Sequence, residues 1–258
     1  MVANNRRAGD FVGLPAYVLK CGASDPRKDS DAMTGKRRTE VREPGLRVGG
    51  AWLLPFYGVA RQERLRKIIR CWIVQVEGGP AFSVTIRKLL SLYHGVEVGA
   101  FSYWPWRCKP AVFHPGTRIG RYTWVADDVR TFTRNHPLDL RSTHGFFYNP
   151  ELGKVRGAPL AFGVLEIGHG AWLGPGAIAL PPARRIGIGA VVKPGSVVCM
   201  DVPDYAVVSG FPARQVGWRV DRSEVEHLLA SRWWERPPWE FWPTRRKRDS
   251  IFPAAMGF

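Results

Sequence analysis

A six-residue repeat is the feature that most constrains how this chain can fold. From Ile119 onward, aliphatic residues recur at steps of six, with one extra residue near Pro182. The column comprises Ile119, Val125, Ile167, Leu173, Ala179, Ile186, Val192 and Val198, and Asp204 breaks it. A second column of small or aliphatic residues follows four positions later: Thr123, Val129, Ala171, Ala177, Ala190, Ser196 and Val202.

Such a repeat predicts a coil of short parallel strands. Three steps complete one triangular turn, with the aliphatic residue pointing inward and the small residue at a tight corner, so that stacked turns bury one continuous core. Glycine follows several of the aliphatic residues, and we expect it there because it adopts backbone conformations that other residues adopt poorly. The alternative is accidental alternation within a β-sandwich, but several near-perfect consecutive steps argue against it.

The segments around the repeat divide the chain into four parts. Residues 1–50 are polar and rich in Gly, Pro and charge, which predicts a flexible basic arm. Residues 51–95 form a helical extension, residues 96–220 the repeat domain, and residues 221–258 a C-terminal helix with a basic tail. In this last part, Ser223 and Glu226 have the spacing of a capping box at the start of the helix.

The helical extension has two amphipathic segments, predicted over 59–77 and 81–93. In the first, apolar residues recur at three- and four-residue spacings with basic residues between them. The apolar set is Leu65, Ile68, Ile69, Trp72 and Ile73. This pattern permits peripheral association with a membrane, and packing of the helices against the body of the protein is favoured.

Charge and cysteine content limit the classes of binding partner and the cellular compartment that we expect for this protein. The net charge is +16, and the excess lies in the first 160 residues. No zinc-finger, basic-zipper or RNA-binding motif accompanies it, so we expect no nucleic-acid partner and leave open an anionic ligand or headgroup. The four cysteines are far apart in the chain and no apolar run is long enough to span a bilayer, which indicates a cytoplasmic protein, with attachment to the inner face of the membrane left open.

An excursion of about thirty residues, 131–163, interrupts the repeat. It contains Asn135-His136 and Ser142-Thr143-His144 among several aromatic residues. Long loops without regular structure are usually functional, so this excursion is the first place to look for a site.

Several segments together resemble a known family. They are HGVEVGAFSY (94–103), IGRYTWVADDVR (119–130), NHPLD (135–139), STHGFFYNP (142–150), IGHGAWLG (167–174) and DVPDYAVVSGFPARQV (201–216). The chain resembles the hexapeptide-repeat acyltransferases over about residues 78–240, and within them the chloramphenicol and streptogramin acetyltransferases and the polysaccharide O-acetyltransferases. The resemblance implies a mainly β fold, a left-handed parallel β-helix, and a homotrimer with active sites between subunits.

The resemblance also implies a catalytic histidine in the excursion, at His136. General chemistry agrees, because an acceptor hydroxyl needs a nearby base and imidazole exchanges protons near neutral pH. His144 is the main rival, and His169 is interpreted as structural. The residues expected to contact the acceptor are Asn135, Asp139, Ser142, Thr143 and His144.

The expected co-substrate is acetyl-CoA, and no metal is expected. By resemblance, the CoA-binding positions are Trp172, Gly174, Ala190, Pro212 and Arg214. Cys199-Met200 stands where the family often has Thr-Lys, which puts the usual phosphate-binding lysine in doubt. Lys193 is our candidate replacement.

These observations predict an acetyl-CoA-dependent O-acetyltransferase acting on a sugar hydroxyl of a polysaccharide or its lipid-linked precursor. The nearest alternative is an antibiotic O-acetyltransferase. A β-helical zinc enzyme is a further class, although His136, His144 and His169 lack the expected ligand spacing. A non-catalytic scaffold that binds a polyanion is the last alternative.

Overall fold

Three parallel β-sheets form the sides of a coil in the computed structural model, which describes residues 45–103, 112–152, 155–156 and 160–241. Through the middle of the coil, successive strands pass from one sheet to the next, and every strand except the last pairs in parallel with a strand one turn away. The first sheet has the order β1 (Glu97–Val98), β2 (Thr117–Ile119), β5 (Leu165–Ile167), β8 (Arg185–Ile186). The second contains β4 (Arg130–Thr131), β7 (Ile178–Ala179) and β10 (Val197–Val198).

The third sheet is longer because it ends in a hairpin. Its parallel strands are β3 (Trp124–Val125), β6 (Trp172–Leu173), β9 (Val191–Val192) and β11 (Ala206–Gly210). The last strand, β12 (Ala213–Trp218), pairs antiparallel with β11. Hexapeptide periodicity is thus expressed as parallel sheets, as the sequence predicts.

The two columns of the repeat form the interior of the coil. Every residue of both columns is buried, from Ile119 to Val198 in the first and from Thr123 to Val202 in the second. The apolar members belong to one hydrophobic cluster that continues into the helices through Ile73, Ile86 and Leu89. Burial of this kind stabilises a fold by about 25 cal/mol per Å² of apolar surface, so these columns contribute directly to the stability of the coil.

Glycines after the aliphatic residues serve a different purpose from the one expected. Gly168 and Gly187 do not have a positive φ; instead, a Cβ on either would lie 2.4–2.5 Å from a backbone nitrogen of the next turn. The glycines that do adopt left-handed backbone lie later in the steps, as at Gly170 and Gly189. Absence of a side chain, and not conformational freedom, is therefore what Gly168 and Gly187 contribute.

From residue 45 onward, three α-helices precede the coil: α1 (Leu54–Val59), α2 (Glu63–Val76) and α3 (Val84–His94). The helix expected over 59–77 starts later, because Ala60 and Gln62 have extended backbone and separate α1 from α2. Ser83 caps α3 by accepting a hydrogen bond from the Ile86 N–H, and Gly95 ends the helix with a left-handed backbone.

A helix and its following turns cover the other end of the described chain. Helix α4 runs from Arg222 to Ser231, with Asp221 at the N-cap position. The capping box expected at Ser223 is therefore wrong, because the helix begins before that residue. Beyond α4, Trp234 is buried and stacks on His169, with ring centroids 5.1 Å apart.

None of the helices within the described residues is long and apolar enough to cross a membrane.

Candidate active site

The excursion leaves the coil after β4 and returns to it at β5. Its two ends are joined, because the Gly163 N–H donates to the Thr133 carbonyl at 2.8 Å, and the Thr133 hydroxyl donates to the Pro115 carbonyl at 2.7 Å. Beside them, the Arg134 guanidinium lies 3.9 Å from the centroid of the Phe162 ring. The base of the excursion is thus held by hydrogen bonds and a cation–π contact.

His114 takes part in this base, a role the sequence did not indicate. Its ring meets Phe132 and Phe162 edge to face, with centroids 5.0 and 5.5 Å away, and its Nδ1 accepts from the Thr133 N–H at 3.4 Å. Burial, and then the charge of Arg134, lower the pKa of His114 below its usual value. A neutral ring at this position fits a packing function.

His136 projects from the excursion with its side chain exposed to solvent. Its backbone N–H donates to the Asn135 side-chain oxygen at 2.9 Å, which fixes the local turn. Its Nδ1 lies 2.6 Å from the hydroxyl oxygen of Tyr148. One ring nitrogen is therefore engaged by the protein, and the other, Nε2, is the one that a substrate can reach.

Tyr148 reaches His136 because the intervening chain folds back through two short turns. These are 3₁₀ turns at Gly145–Phe147 and Pro150–Leu152. The Asn149 N–H donates to the Gly145 carbonyl at 2.7 Å and holds the first turn closed. The sequence did not indicate Tyr148, since a pairing across twelve residues of irregular chain leaves no periodic signal.

His144, the rival base, lies in a different environment. Its Nδ1 accepts a hydrogen bond from the Phe146 N–H at 3.2 Å, so it caps the first 3₁₀ turn, and its ring lies against that of Phe146. Its own N–H donates to the Ser142 hydroxyl at 3.1 Å. The other predicted acceptor contacts, Asp139 and Thr143, are exposed in the same excursion.

Most of the predicted CoA positions lie along one sheet. Trp172 is on β6, Gly174 follows β6, Lys193 follows β9, Pro212 lies between β11 and β12, and Arg214 is on β12. These strands all belong to the five-stranded sheet. Arg214 and Pro212 are exposed, and Lys193 is half-buried.

Ala190, the remaining CoA position, faces the interior. Its side chain is fully buried in the small-residue column. Its carbonyl accepts from the Trp172 N–H at 2.8 Å and its N–H donates to the Gly187 carbonyl, so both backbone groups are used within the coil. The role of Ala190 in CoA binding stays a prediction from the resemblance.

A groove of about 430 Å³ lies on another side of the coil, over the four-stranded sheet. Its walls include Glu97, Arg118, Glu166, His169 and Arg185, and none of the predicted site residues. Arg118 forms exposed ion pairs with Glu97 at 3.7 Å and Glu166 at 3.4 Å. The groove carries side chains of both charge signs and is separate from the candidate site.

Within the described ranges, no three His, Cys, Asp or Glu side chains are grouped closely enough to hold a metal ion. The thiols of Cys71 and Cys199 are free, while Cys21 and Cys108 lie outside the residues that the structure describes.

Sequence comparison relates about half of this chain to acetyltransferases. A chloramphenicol acetyltransferase from Agrobacterium fabrum is 34% identical over 121 residues, covering 46% of this chain and 54% of the relative. A galactoside O-acetyltransferase from Lactococcus lactis is 35% identical over 96 residues, covering 36% and 39%. The chain thus spans about half the length, or less, of these relatives.

Comparison of folds returns a hexapeptide-repeat-containing acetyltransferase from Vibrio cholerae, with a TM-score of 0.35 and 17% identity over 66% of this chain and 88% of that one. No protein-family model matches the chain.

Proposed function

Because the chain is a relative of the hexapeptide-repeat acyltransferases, we propose that it transfers an acetyl group from acetyl-CoA to a hydroxyl of a sugar. The observation that carries this proposal is the pairing of His136 with Tyr148 in the excursion. It supplies an exposed imidazole whose second nitrogen already has a partner.

In the proposed reaction, His136 acts as the general base. In this proposal the Tyr148 oxygen accepts a hydrogen bond from Nδ1–H, which leaves the lone pair on Nε2 available for the acceptor hydroxyl. As Nε2 takes that proton, the acceptor oxygen attacks the thioester carbonyl and a tetrahedral intermediate forms. The C–S bond then breaks, the thiolate takes the proton from Nε2, and the products are an acetyl ester and free CoA.

We assign CoA to the five-stranded sheet, on the side that carries Trp172, Lys193 and Arg214. The indole offers an apolar surface to the pantetheine arm, and the two cations offer charge-assisted hydrogen bonds to its phosphates. Isothermal titration with CoA tests this assignment. Arg214→Glu should weaken binding at least about tenfold, while Arg130→Glu, an equal charge change at an exposed coil position, should not.

We further propose a left-handed coil that assembles as a homotrimer in the cytoplasm, with each site between two subunits. The resemblance to the family supports the assembly, and the free thiols of Cys71 and Cys199 suit a reducing compartment. A shared site predicts complementation. His136→Ala and Trp172→Asp should each be inactive, and co-expression of the two should restore part of the activity.

The acceptor is proposed to be a sugar hydroxyl in a polysaccharide or its lipid-linked precursor. Similarity to the galactoside O-acetyltransferase of Lactococcus lactis supports a sugar as the acceptor. Similarity to the chloramphenicol acetyltransferase of Agrobacterium fabrum makes chloramphenicol the second candidate. The deciding assay measures release of CoA thiol from acetyl-CoA with cell-surface glycan, a galactoside, chloramphenicol or a streptogramin as acceptor. Acetylation of only the antibiotics would replace the sugar proposal.

His136→Ala tests the catalytic assignment within the same assay. It should lower kcat by about 10²–10⁴-fold. His227→Ala, on the exposed surface of α4, should keep wild-type activity. Activity that survives in His136→Ala and disappears in His144→Ala would transfer the assignment to His144, and failure of the wild-type protein to bind CoA would favour a scaffold.

A further inference from the structure

Helices α1 and α2 carry a group of large apolar side chains that the fold leaves uncovered. We call this group, together with Trp52 just before α1, the apolar patch. Its members are Trp52, Phe56, Val59, Leu65, Ile68, Trp72 and Val76. Each is between 43% and 77% exposed. Single exposed apolar residues are ordinary, but a contiguous group of this size marks an interaction surface.

The patch is continuous across the two helices. The Trp52 ring meets Phe56 with centroids 6.2 Å apart and Trp72 with centroids 5.4 Å apart, both edge to face. On α2, Leu65, Ile68, Trp72 and Val76 follow spacings of three and four, so they form one stripe along the helix. The aromatic residues join this stripe to α1.

The apolar patch has no role in the core. Helix α2 already packs into the protein through a different side, which buries Ile69, Ile73 and Val74. It therefore has two apolar sides, of which the fold uses one. Leu65, Ile68 and Trp72 on the unused side are costly to expose to water, so their position suggests an external partner.

Exposed cations accompany the apolar patch. Arg64 lies one helical turn before Ile68, Lys67 lies beside Ile68 in the chain, and Arg61 lies in the link between α1 and α2; all three are exposed. The nearby carboxylate of Glu63 is paired with the buried guanidinium of Arg70 at 2.8 Å. The local charge at this edge is therefore positive, as is that of the whole chain at +16.

We propose that the apolar patch docks α1 and α2 on the surface of a bilayer that contains anionic lipids. Tryptophan favours the boundary between headgroups and acyl chains, and Lys and Arg beside it are attracted to anionic headgroups. A second copy of this chain related by a two-fold axis fits the patch less well, because that contact would place the same cations opposite each other. The inference is independent of the acetyl-transfer proposal.

Vesicle binding of the full-length protein tests the inference. The wild-type protein should sediment with vesicles of phosphatidylcholine and phosphatidylglycerol, and bind at least about tenfold less to phosphatidylcholine alone. Ile68→Gln/Trp72→Gln should lower binding to the mixed vesicles at least about tenfold. Leu92→Gln, which removes an exposed apolar side chain of α3 outside the patch, should bind like the wild type.

A second pair of variants separates the charge at the patch from total charge. Arg64→Glu/Lys67→Glu should lower binding at least about tenfold, while Arg130→Glu/Arg184→Glu changes net charge equally at exposed coil positions and should lower it far less. Circular dichroism confirms that each variant is folded.

Three results would overturn the inference. The first is no sedimentation of the wild-type protein with the mixed vesicles. The second is equal binding by the wild type and Ile68→Gln/Trp72→Gln. The third is a smaller molar mass of Ile68→Gln/Trp72→Gln in light scattering, which would make the apolar patch an interface between copies of the chain.

Discussion

The hydroxyl oxygen of Tyr148 lies 2.6 Å from Nδ1 of His136, and the two rings meet edge to face with centroids 5.7 Å apart. A neutral imidazole has one donor and one acceptor nitrogen, so the partner of Nδ1 decides what Nε2 can do. With Tyr148 accepting from Nδ1–H, Nε2 is the acceptor. In the proposed reaction Tyr148 is thus a positioning residue for the base.

Tyr148→Phe is expected to lower kcat about tenfold or more while leaving the KM for acetyl-CoA near its wild-type value. The ring still packs beside His136, but Nδ1 loses its partner and the imidazole is no longer held in one tautomer and orientation. Steady-state kinetics across a pH series measures both parameters. A positioning role also predicts a changed pH profile of kcat, which lost packing alone would not produce.

Tyr93→Phe is the matched control for this substitution. It also removes a tyrosine hydrogen bond, since the Tyr93 hydroxyl donates to the Leu54 carbonyl at 2.8 Å within the helical extension. It should leave kcat and its pH profile unchanged. An equal loss of kcat in both variants would assign the effect to general destabilisation.

The interior of the coil could be read from the sequence because its repeat has a fixed step. Every aliphatic and small position from Ile119 to Val202 named by the pattern is buried. Periodicity reports which side chains face inward, but it carries no information on the distance between turns. The reason expected for Gly168 and Gly187 is accordingly wrong, since the true one depends on backbone atoms of the neighbouring turn.

The helical extension shows a second limit of periodicity. Leu65, Ile68 and Trp72 have the same spacing signal as Ile69 and Ile73, yet the first three are exposed and the last two are buried. A helix with two apolar sides shows a single broad set of apolar spacings in the sequence. Packing against the body of the protein therefore accounts for only one of the two sides. The pairing of Tyr148 with His136 likewise depends on irregular turns and has no sequence period.

Gly187→Ala should destabilise the coil by about 1–3 kcal/mol. A Cβ at Gly187 would lie 2.4 Å from the Asp204 nitrogen and 2.5 Å from the Pro203 carbonyl carbon, and backbone atoms cannot move aside as a flexible side chain can. Gly217→Ala is the matched control, since no atom lies within 4 Å of the place its methyl group would take and its φ is not left-handed. Chemical denaturation measures both, and equal stability of the two variants would contradict the close approach between turns.

Glu77 should be required for the stability of the folded protein. It is fully buried, and its carboxylate accepts from the Gly50 N–H at 2.7 Å and the Thr85 N–H at 3.1 Å, and from the hydroxyls of Ser83 and Thr85. Glu77→Gln places an amide donor among these donors and should cost about 3 kcal/mol. Glu97→Gln, at an exposed ion pair, should cost less than about 1 kcal/mol. Similar unfolding midpoints for the two variants would refute this.

His94 should make the folded state sensitive to mild acid. Its Nε2 lies 2.7 Å from the oxygen of the Tyr57 hydroxyl, and that oxygen accepts a hydrogen bond from Arg70 at 3.0 Å. Burial, and then the charges of Arg70 and Arg66, lower the pKa of His94 from 6.5 to about 4, against a weaker opposing effect of Glu63. Between these two values the unfolded chain binds a proton that the folded chain does not.

Stability contributed by a neutral His94 is therefore complete above about pH 6.5, decreases as the pH falls, and shows no further loss below about pH 4, where both states are protonated. His94→Gln removes this titration, so its melting temperature should fall less between pH 7 and pH 5 than that of the wild type. His227→Gln, at an exposed position of α4, should retain the wild-type dependence. An equal fall in melting temperature for the wild type and His94→Gln between pH 7 and pH 5 would contradict this prediction. It would show that His94 is protonated in the folded protein without loss of stability.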